Sequence, residues 1–415
     1  MLITIGKCEK FYLYILGSAI CKFFSLMLLG FNKFGLFGFC PTISSYNFMQ
    51  SIFNYIGYII FGIIFFYFKN IQNSNKESMK IKDETSVETY IYNSPIIHTP
   101  EISRRDFILL SIAFVLEKEI VQALIKEQFI FFNFWTIEII FLFFLLKKYF
   151  VIEFYKHHKV SIIFIISVCS TLILITTFLP ISVANDDKYN SYDNLRDKLG
   201  SSYYCILFIF LQSCLNFVYS YSRTYSKVLM QIKFISPFKL IFNFGVTGLP
   251  FTIIVSIISY FIGYRDNIVD YYNDIKSVLS NEEKYKFWVE IFLIYPLYSF
   301  TSSMELIFEM LTIYYLNPFY VLMTNNLYYA IIKLITFLSI NTNNTKKIIQ
   351  FLITEFEEVF AFLGYMVFLE ILELNFCGLN EKLKSKLVEK GDIEFKLLSD
   401  INTRDIYLDE NNDEE

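Results

Sequence analysis

The sequence has little charge and few of the residues that build metal or catalytic centres. Charged residues make up 18% of the 415-residue chain, whereas a soluble domain usually carries about 25%. There are three histidines, and the seven cysteines form neither a CxxC pair nor a Cys/His motif, so neither a disulfide framework nor a zinc motif is indicated. We therefore expect no metal, no cofactor and no catalytic residues, and the protein is predicted not to be an enzyme.

An excess of basic residues is also missing. Lys and Arg number 36 against 40 Asp and Glu, which gives a net charge of −4. Proteins that bind nucleic acid usually carry a basic patch, because they must neutralise phosphates. The composition therefore predicts no nucleic-acid partner.

What the chain has in abundance is long apolar runs. Hydrophobic residues make up 55% of it and aromatic residues 20%. A helix of about 20 apolar residues crosses the hydrocarbon core of a bilayer, and in lipid a helix satisfies its own backbone polar groups. We therefore predict an all-α integral membrane protein, in contact with membrane lipid, with about ten transmembrane helices. The predicted spans are residues 11–30, 49–68, 106–126, 129–148, 160–182, 202–222, 240–264, 287–315, 317–340 and 347–373.

The ten predicted helices divide into five and five. "IFNYIGYIIFG" begins at Ile52 and "IFNFGVTGLPF" begins at Ile241, at equivalent positions of the two halves. This similarity predicts an inverted repeat with a substrate site near the bilayer midplane, although so short a match also arises by chance in a Phe-rich chain. The predicted domains are a cytosolic N-terminus (1–10), a first repeat (11–182) with a polar cytosolic loop (69–105), a second repeat (202–373) and a cytosolic tail (374–415).

Loop charges predict the orientation. With both termini in the cytosol, Lys and Arg on the cytosolic side outnumber those on the opposite side about two to one, as the positive-inside rule requires. The stretch 227–251, "KVLMQIKFISPFKLIFNFGVTGLPF", is then interpreted as a water-exposed cytosolic corner between the sixth and seventh helices, with its lysines facing water.

Polar residues inside the predicted spans are the candidate substrate-binding groups. A charge at the centre of a membrane helix costs about 2.5–3.5 kcal/mol on insertion scales, so it usually faces a cavity or a partner. Glu305 and Glu309 are four residues apart and share a helix face. The alternative is that these groups only hold helices together, for example as a Glu305–Lys333 pair. The candidates are Lys22, Asn54, Tyr55, Glu305, Glu309, Asn326 and Lys333.

The link into the seventh helix carries a family resemblance. Ser236 and Pro237 are followed by Gly245 and Gly248, which resembles the Ser/Pro element and Glu-Gly-x-x-Gly helix start of the drug/metabolite transporter superfamily. The ten-helix layout is similar to the branch of nucleotide-sugar transporters. Phe244 stands at the position of the family's Glu, a departure that removes a polar contact.

The sharper motifs of nucleotide-sugar carriers are not matched. Their Phe-Tyr-Asn-Asn is echoed only by "IFNF" at 241–244, which retains Asn243 as a further candidate, and their Gly-Ala-Leu-Asn-Lys has no counterpart beyond Lys333. Nucleotide sugars are therefore in doubt as substrates. The resemblance still implies a carrier, and an endomembrane (Golgi, endoplasmic reticulum or vacuole) rather than the plasma membrane.

The predicted function is a multi-pass secondary transporter that moves a small organic solute by alternating access. Lys22 and Lys333 would neutralise anionic groups of the solute, and Glu305 or Glu309 would gate the site or carry a proton. Asn54, Tyr55 and Asn243 would donate or accept hydrogen bonds. The substrate is not indicated, and homodimerisation stays open.

Two alternative functions remain. One is a non-transporting membrane scaffold or assembly protein. The other is a membrane enzyme that uses the paired histidines of "EFYKHHK" (153–159). The lysines flanking those histidines favour a simpler interpretation, a loop on the cytosolic side.

Overall fold

The protein is mostly helical. The computed structural model describes residues 3–5, 12–33, 47–79, 108–114, 138–150, 154–178, 201–233, 235–262, 268–280, 284–339, 345–375, 378–379 and 383. Its helices are α1 (Tyr12–Lys33), α2 (Asn47–Met79), α3 (Glu138–Tyr149), α4 (Lys156–Phe178), α5 (Ser201–Gln231), α6 (Pro237–Ile262), α7 (Ile268–Ser280), α8 (Lys284–Val289), α9 (Tyr295–Tyr315), α10 (Pro318–Ser339) and α11 (Thr345–Phe368). Residues 108–114 are also helical.

Three stretches of helix are long and apolar enough to cross a membrane. They are Phe48–Tyr67 in α2, Pro237–Phe261 in α6 and Phe287–Tyr315, which runs from α8 through α9. Tyr12–Ser25 and Val359–Phe368 are shorter apolar helical stretches. The prediction of a mostly helical chain is confirmed, and three of its helical stretches are compatible with a bilayer.

The chain divides into two compact units, and each takes helices from both halves of the sequence. Unit A comprises residues 10–123, 222–317 and 401–415, and unit B comprises residues 1–9, 124–221 and 318–400. These units are compact bodies in space, whereas the predicted repeats (11–182 and 202–373) are consecutive stretches of sequence. The repeats therefore stay a prediction.

Unit A is built around α9, which packs against α1, α2 and α6. Helices α2 and α6 pack closely, because a Cβ atom on Gly245 would lie 2.7 Å from the carbonyl oxygen of Tyr55. A Cβ atom on Gly248 would lie 2.4 Å from the Tyr55 ring. These two glycines therefore let the helices pack closely.

The helix that leads into α9 changes its hydrogen bonding at a proline. Residues Glu290–Ile294 form a π-helix, in which the N–H of Tyr295 donates to the carbonyl of Glu290. Pro296, at the start of α9, has no N–H to donate, so the helix loses one α-helical bond there. Nearby, Phe48, Tyr271, Phe287, Tyr295 and Tyr298 form a buried aromatic cluster.

In unit B, α11 packs against α4 and α10, and α10 also contacts α3. Phe368, at the end of α11, is buried, and its ring lies 4.4 Å from that of Phe319. Beyond the helix, strand β2 (Leu372–Leu374) pairs antiparallel with strand β1 (Ile3–Ile5). This two-stranded sheet corrects the all-α prediction, and it ends the tenth predicted span at Phe368 rather than 373.

Several predicted boundaries also change. The polar loop expected at 69–105 begins as helix, because α2 continues to Met79. An unexpected helix, α7, follows the seventh span. Of the third predicted span, 106–126, only 108–114 is described, and most of the tail at 374–415 lies outside the described residues.

The prediction that the lysines of the corner at 227–251 face water is wrong. Helix α5 continues through Gln231, and Lys227 within it is buried, while Lys233 and Lys239 are half-buried. The local concentration of lysines predicted a loop. Lys227 is buried because it contacts Leu316 at the end of α9, which is far away in sequence.

Candidate functional site

The buried face of α9 carries several polar groups. Ser299, Ser302, Glu309 and Thr312 are all buried, and their spacing of three, seven and three residues puts them on one side of the helix. The hydroxyl of Thr312 donates within the helix, to the carbonyl of Phe308 (2.7 Å), whereas that of Ser299 donates to the carbonyl of Phe53 in α2 (2.6 Å). The two carboxylates of α9 find their partners on other helices.

Glu305 pairs with Lys22 of α1. The Lys22 Nζ and Glu305 Oε1 atoms lie 3.8 Å apart, and the two side chains are 20% and 16% exposed. Nearby, the Ser25 hydroxyl donates to the Thr301 hydroxyl (2.9 Å). The predicted candidates Lys22 and Glu305 are thus brought together, in a loose pair that retains some access to solvent.

Glu309, one turn further along α9, pairs with Arg223 of α5. The Arg223 Nη2 and Glu309 Oε1 atoms lie 2.6 Å apart, and both side chains are largely buried. Arg223 follows the sixth predicted span (202–222) directly, so the sequence predicted it to lie in a cytosolic loop. The continuous helix-compatible sequence from 217 to 231, without Gly or Pro, was the signal that could have placed Arg223 inside a helix.

The next two candidates lie on α2, which faces α9. The Asn54 Nδ2 donates to the Tyr298 hydroxyl (3.1 Å), and both side chains are buried. Tyr55 is buried against Gly248, with its ring 5.8 Å from that of Tyr58. In both cases the geometry is that of tight helix packing.

Three further candidates lie on other helices. Asn243 is half-buried in α6, where its backbone carbonyl accepts the Thr247 hydroxyl (2.7 Å). Asn326 is buried in α10 of unit B. Lys333 also lies in α10, but its side chain is outside the described residues, so the predicted Glu305–Lys333 pair stays a prediction.

Two side chains of α5 bind the C-terminal end of α9. The Lys227 Nζ donates to the carbonyl of Leu316 (2.5 Å), and the Gln231 Nε2 donates to the carbonyl of Tyr314 (2.8 Å). These carbonyls have no partner within the helix, and the helix dipole favours a donor there. Burial nevertheless lowers the pKa of Lys227 from 10.5 to about 7, so this lysine is only partly charged near neutral pH.

A second cluster, in unit B, contains the paired histidines. His157 and His158 lie in the first turn of α4, and Glu370 lies just beyond α11. The histidines are buried rather than in an exposed loop. One ligand atom from each of the three residues lies within 4.8 Å of the others. Burial, and then the neighbouring His157, hold the pKa of His158 well below its ordinary value, so this imidazole is neutral at pH 7.

Comparisons with known proteins add no relatives. No family model, curated protein or solved structure matches the chain. The resemblance to drug/metabolite transporters therefore stays a prediction, and the proposals below depend on the geometry of the chain.

Proposed function

We propose that the protein is a multi-pass membrane transporter that moves a small organic solute by alternating access. The observation that carries this proposal is the Lys22–Glu305 pair, a loose ion pair between α1 and the membrane-spanning stretch that contains α9. Charges in a membrane span are costly and usually mark a substrate or ion pathway. No covalent chemistry is needed for this function.

Contacts between helix ends support a multi-pass arrangement in unit A. Phe65, near the end of the second predicted span, stacks on Phe238 at the start of α6 (4.7 Å between ring centroids). Tyr14, at the start of α1, stacks on Tyr315 at the end of α9 (5.5 Å). Alternating crossings put all four of these ends on the cytosolic side. The contacts are therefore those that ten alternating spans require.

The strand pair in unit B supports an even number of crossings. Ile3 lies opposite Leu374, and Ile5 lies opposite Leu372. A short open sheet exposes backbone groups that lipid cannot satisfy, so both strands lie outside the hydrocarbon on the same side. The chain between them then crosses the membrane an even number of times. Three crossings, one for each of the long apolar stretches, would be an odd number, whereas the ten predicted crossings are an even number.

The two ion pairs on α9 have different roles in this proposal. Arg223–Glu309 is short and buried, so it holds α5 against α9. Lys22–Glu305 is longer and partly accessible, so an anionic group of the solute can replace Glu305 at the Lys22 ammonium. Release of Glu305 frees α9 from α1, which couples binding to the movement of a helix. Asn54 holds α2 against α9 through Tyr298, and Tyr55 packs against α6.

Location and substrate follow from the same proposal. Lys and Arg are more frequent in the predicted cytosolic segments than in those on the opposite side, which favours cytosolic termini. The family resemblance favours an endomembrane. The solute is a small organic molecule with an anionic group, because it takes the place of Glu305 at the Lys22 ammonium. The inverted repeat of five plus five helices is retained as part of this proposal.

The experiment starts with purified protein and a panel of organic anions, nucleotides, amino acids and nucleotide sugars. A solute at 100 times its Kd adds about 2.7 kcal/mol of stability, which is visible as a rise in Tm. The solute that raises Tm is then loaded into liposomes for a flux assay. We expect Lys22→Met to abolish both the Tm rise and the flux.

A matched variant separates this effect from a general loss of positive charge. Lys276 lies exposed in α7, so Lys276→Met removes a lysine that is not part of the pair and should leave flux unchanged. Wild-type flux in Lys22→Met, with folded protein, would refute the assignment of Lys22 as a binding group.

A membrane scaffold is the second candidate. A scaffold is favoured by the pairing of polar groups between helices, since both α9 carboxylates are in ion pairs and Asn54 is bonded to Tyr298. A scaffold predicts no Tm rise with any solute. It also predicts that the exchanged pair Lys22→Glu/Glu305→Lys restores the stability lost in each single variant, without flux in any of them.

A further inference from the structure

The cluster of His157, His158 and Glu370 has the composition of a transition-metal site. Imidazole nitrogens and a carboxylate oxygen suit Zn²⁺ and neighbouring divalent ions, whereas Ca²⁺ and Mg²⁺ require oxygen ligands. The His157 and His158 ring centroids lie 4.0 Å apart. All three ligand atoms fall within 4.8 Å of one another, so one ion can contact all three after small side-chain movements.

The contacts of His157 suit a metal ligand. Its Nε2 lies 2.9 Å from the Glu370 Oε1, and its Nδ1 makes no hydrogen bond within the described part of the chain. The side chain is 2% exposed, so water does not readily meet this need. Two atoms bound to one ion at about 2.0–2.1 Å lie roughly 3 Å apart, which is the separation seen.

The backbone of Glu370 supplies an independent observation. Its φ is 57°, and Glu370 is the only non-glycine residue with positive φ among those that the structure describes. The turn after α11 closes through a bond from the Ile371 N–H to the Met366 carbonyl (2.9 Å). Glycine is the usual residue at such a helix end. A glutamate there is strained, and the surroundings that hold this conformation also place its carboxylate beside the histidines.

We propose that His157, His158 and Glu370 bind one divalent transition-metal ion, with Zn²⁺ preferred. The His158 Nδ1 now accepts the Tyr155 N–H (3.1 Å) and exchanges that bond for the ion. Three protein ligands leave a fourth position for water. The ion joins the start of α4 to the segment between α11 and β2, and this role does not depend on transport.

The test uses the full-length chain, purified with a chelator and then freed of it. Titration with Zn²⁺ should give one bound ion per chain by elemental analysis and should raise Tm. Titration with Co²⁺ should give the visible absorption of a low-coordinate site. His157→Ala and Glu370→Gln should each lower the affinity by at least about 100-fold, since loss of even an outer-shell partner costs about 10–100-fold.

The third histidine offers a matched control. His98 lies outside the described residues and is not one of the three proposed ligands, so His98→Ala should bind Zn²⁺ as the wild type does. Glu370→Gly removes the carboxylate and also relieves the positive-φ strain, so this variant should fold and still lose the ion. The proposal is overturned by the absence of stoichiometric Zn²⁺ on the wild type. Equal Zn²⁺ affinity in Glu370→Gly and His98→Ala would overturn it as well.

Discussion

At the scale of single residues, Lys227 shows how a tertiary contact overrides residue type. It lies five residues beyond the sixth predicted span, where a lysine usually reaches water. Here it is 1% exposed and donates to the end of α9. The bond to the Leu316 carbonyl contributes on the order of 1 kcal/mol. Burying the charge costs more, as its pKa of about 7 indicates.

We expect Lys227→Met to raise Tm at pH 7. In the folded state the pKa is about 7, and in the unfolded state it is near 10.5. The unfolded chain therefore binds more protons between these values, so the stability of the wild type rises with pH across this window and levels off above it. The rise is about 1.4 kcal/mol per pH unit at most.

The measurement is Tm from pH 7 to pH 9 in one detergent. Lys227→Met should lack the part of the rise that the wild type owes to this lysine. Lys233→Met, at a half-buried position two residues past the end of α5, serves as the control and should keep the wild-type slope. Parallel slopes for the wild type and Lys227→Met would contradict the prediction.

At the scale of elements, the closeness of α2 and α6 depends on glycine. A Cβ atom at Gly245 meets backbone, the Tyr55 carbonyl at 2.7 Å, and backbone cannot rotate away as a flexible side chain can. We expect Gly245→Ala to destabilise the protein by about 1–3 kcal/mol, the usual cost of overpacking. The adjacent Val246 is exposed, so Val246→Ala should leave Tm nearly unchanged. A Tm for Gly245→Ala within error of the wild type would show that the helices separate easily.

Element positions were largely predictable, and element partners were not. Apolar runs predicted α1, α2, α6 and α9 because a membrane helix must be apolar along its whole length, which is a local property. The amphipathic α7 was missed because its sequence is too polar for such a run. The pairing of Glu305 with Lys22 was also missed. It depends on which helices pack together, and hydropathy does not encode that.

The candidate site shows the same division. Glu305 and Glu309 were predicted from their spacing on one helix face, a feature that sequence carries directly. Arg223 was not recognised as the partner of Glu309, nor Glu370 as the partner of His157, because the two residues of each pair are far apart in sequence. Charge near a helix end was interpreted as a loop, although in α5 it belongs to the helix.

At the scale of the whole molecule, the number of crossings is testable. In a cysteine-free background, Thr4→Cys and Glu373→Cys should react with an impermeant maleimide from the same side of sealed vesicles, because these residues are strand partners. Ser277→Cys, in α7 between the seventh and eighth predicted spans, should react only from the other side. Labelling of Thr4→Cys and Glu373→Cys from opposite sides would mean an odd number of crossings.

The same strand pair also sets an order of events during synthesis. β1 is synthesised before the described helices, and its partner β2 is synthesised only after them. Until then the backbone groups of Ile3–Ile5 lack their partner strand. A chain stalled or truncated before residue 372 would enter the bilayer with these groups unpaired. Such a chain would be a substrate for quality control, whereas synthesis of β2 pairs the strand in one late step.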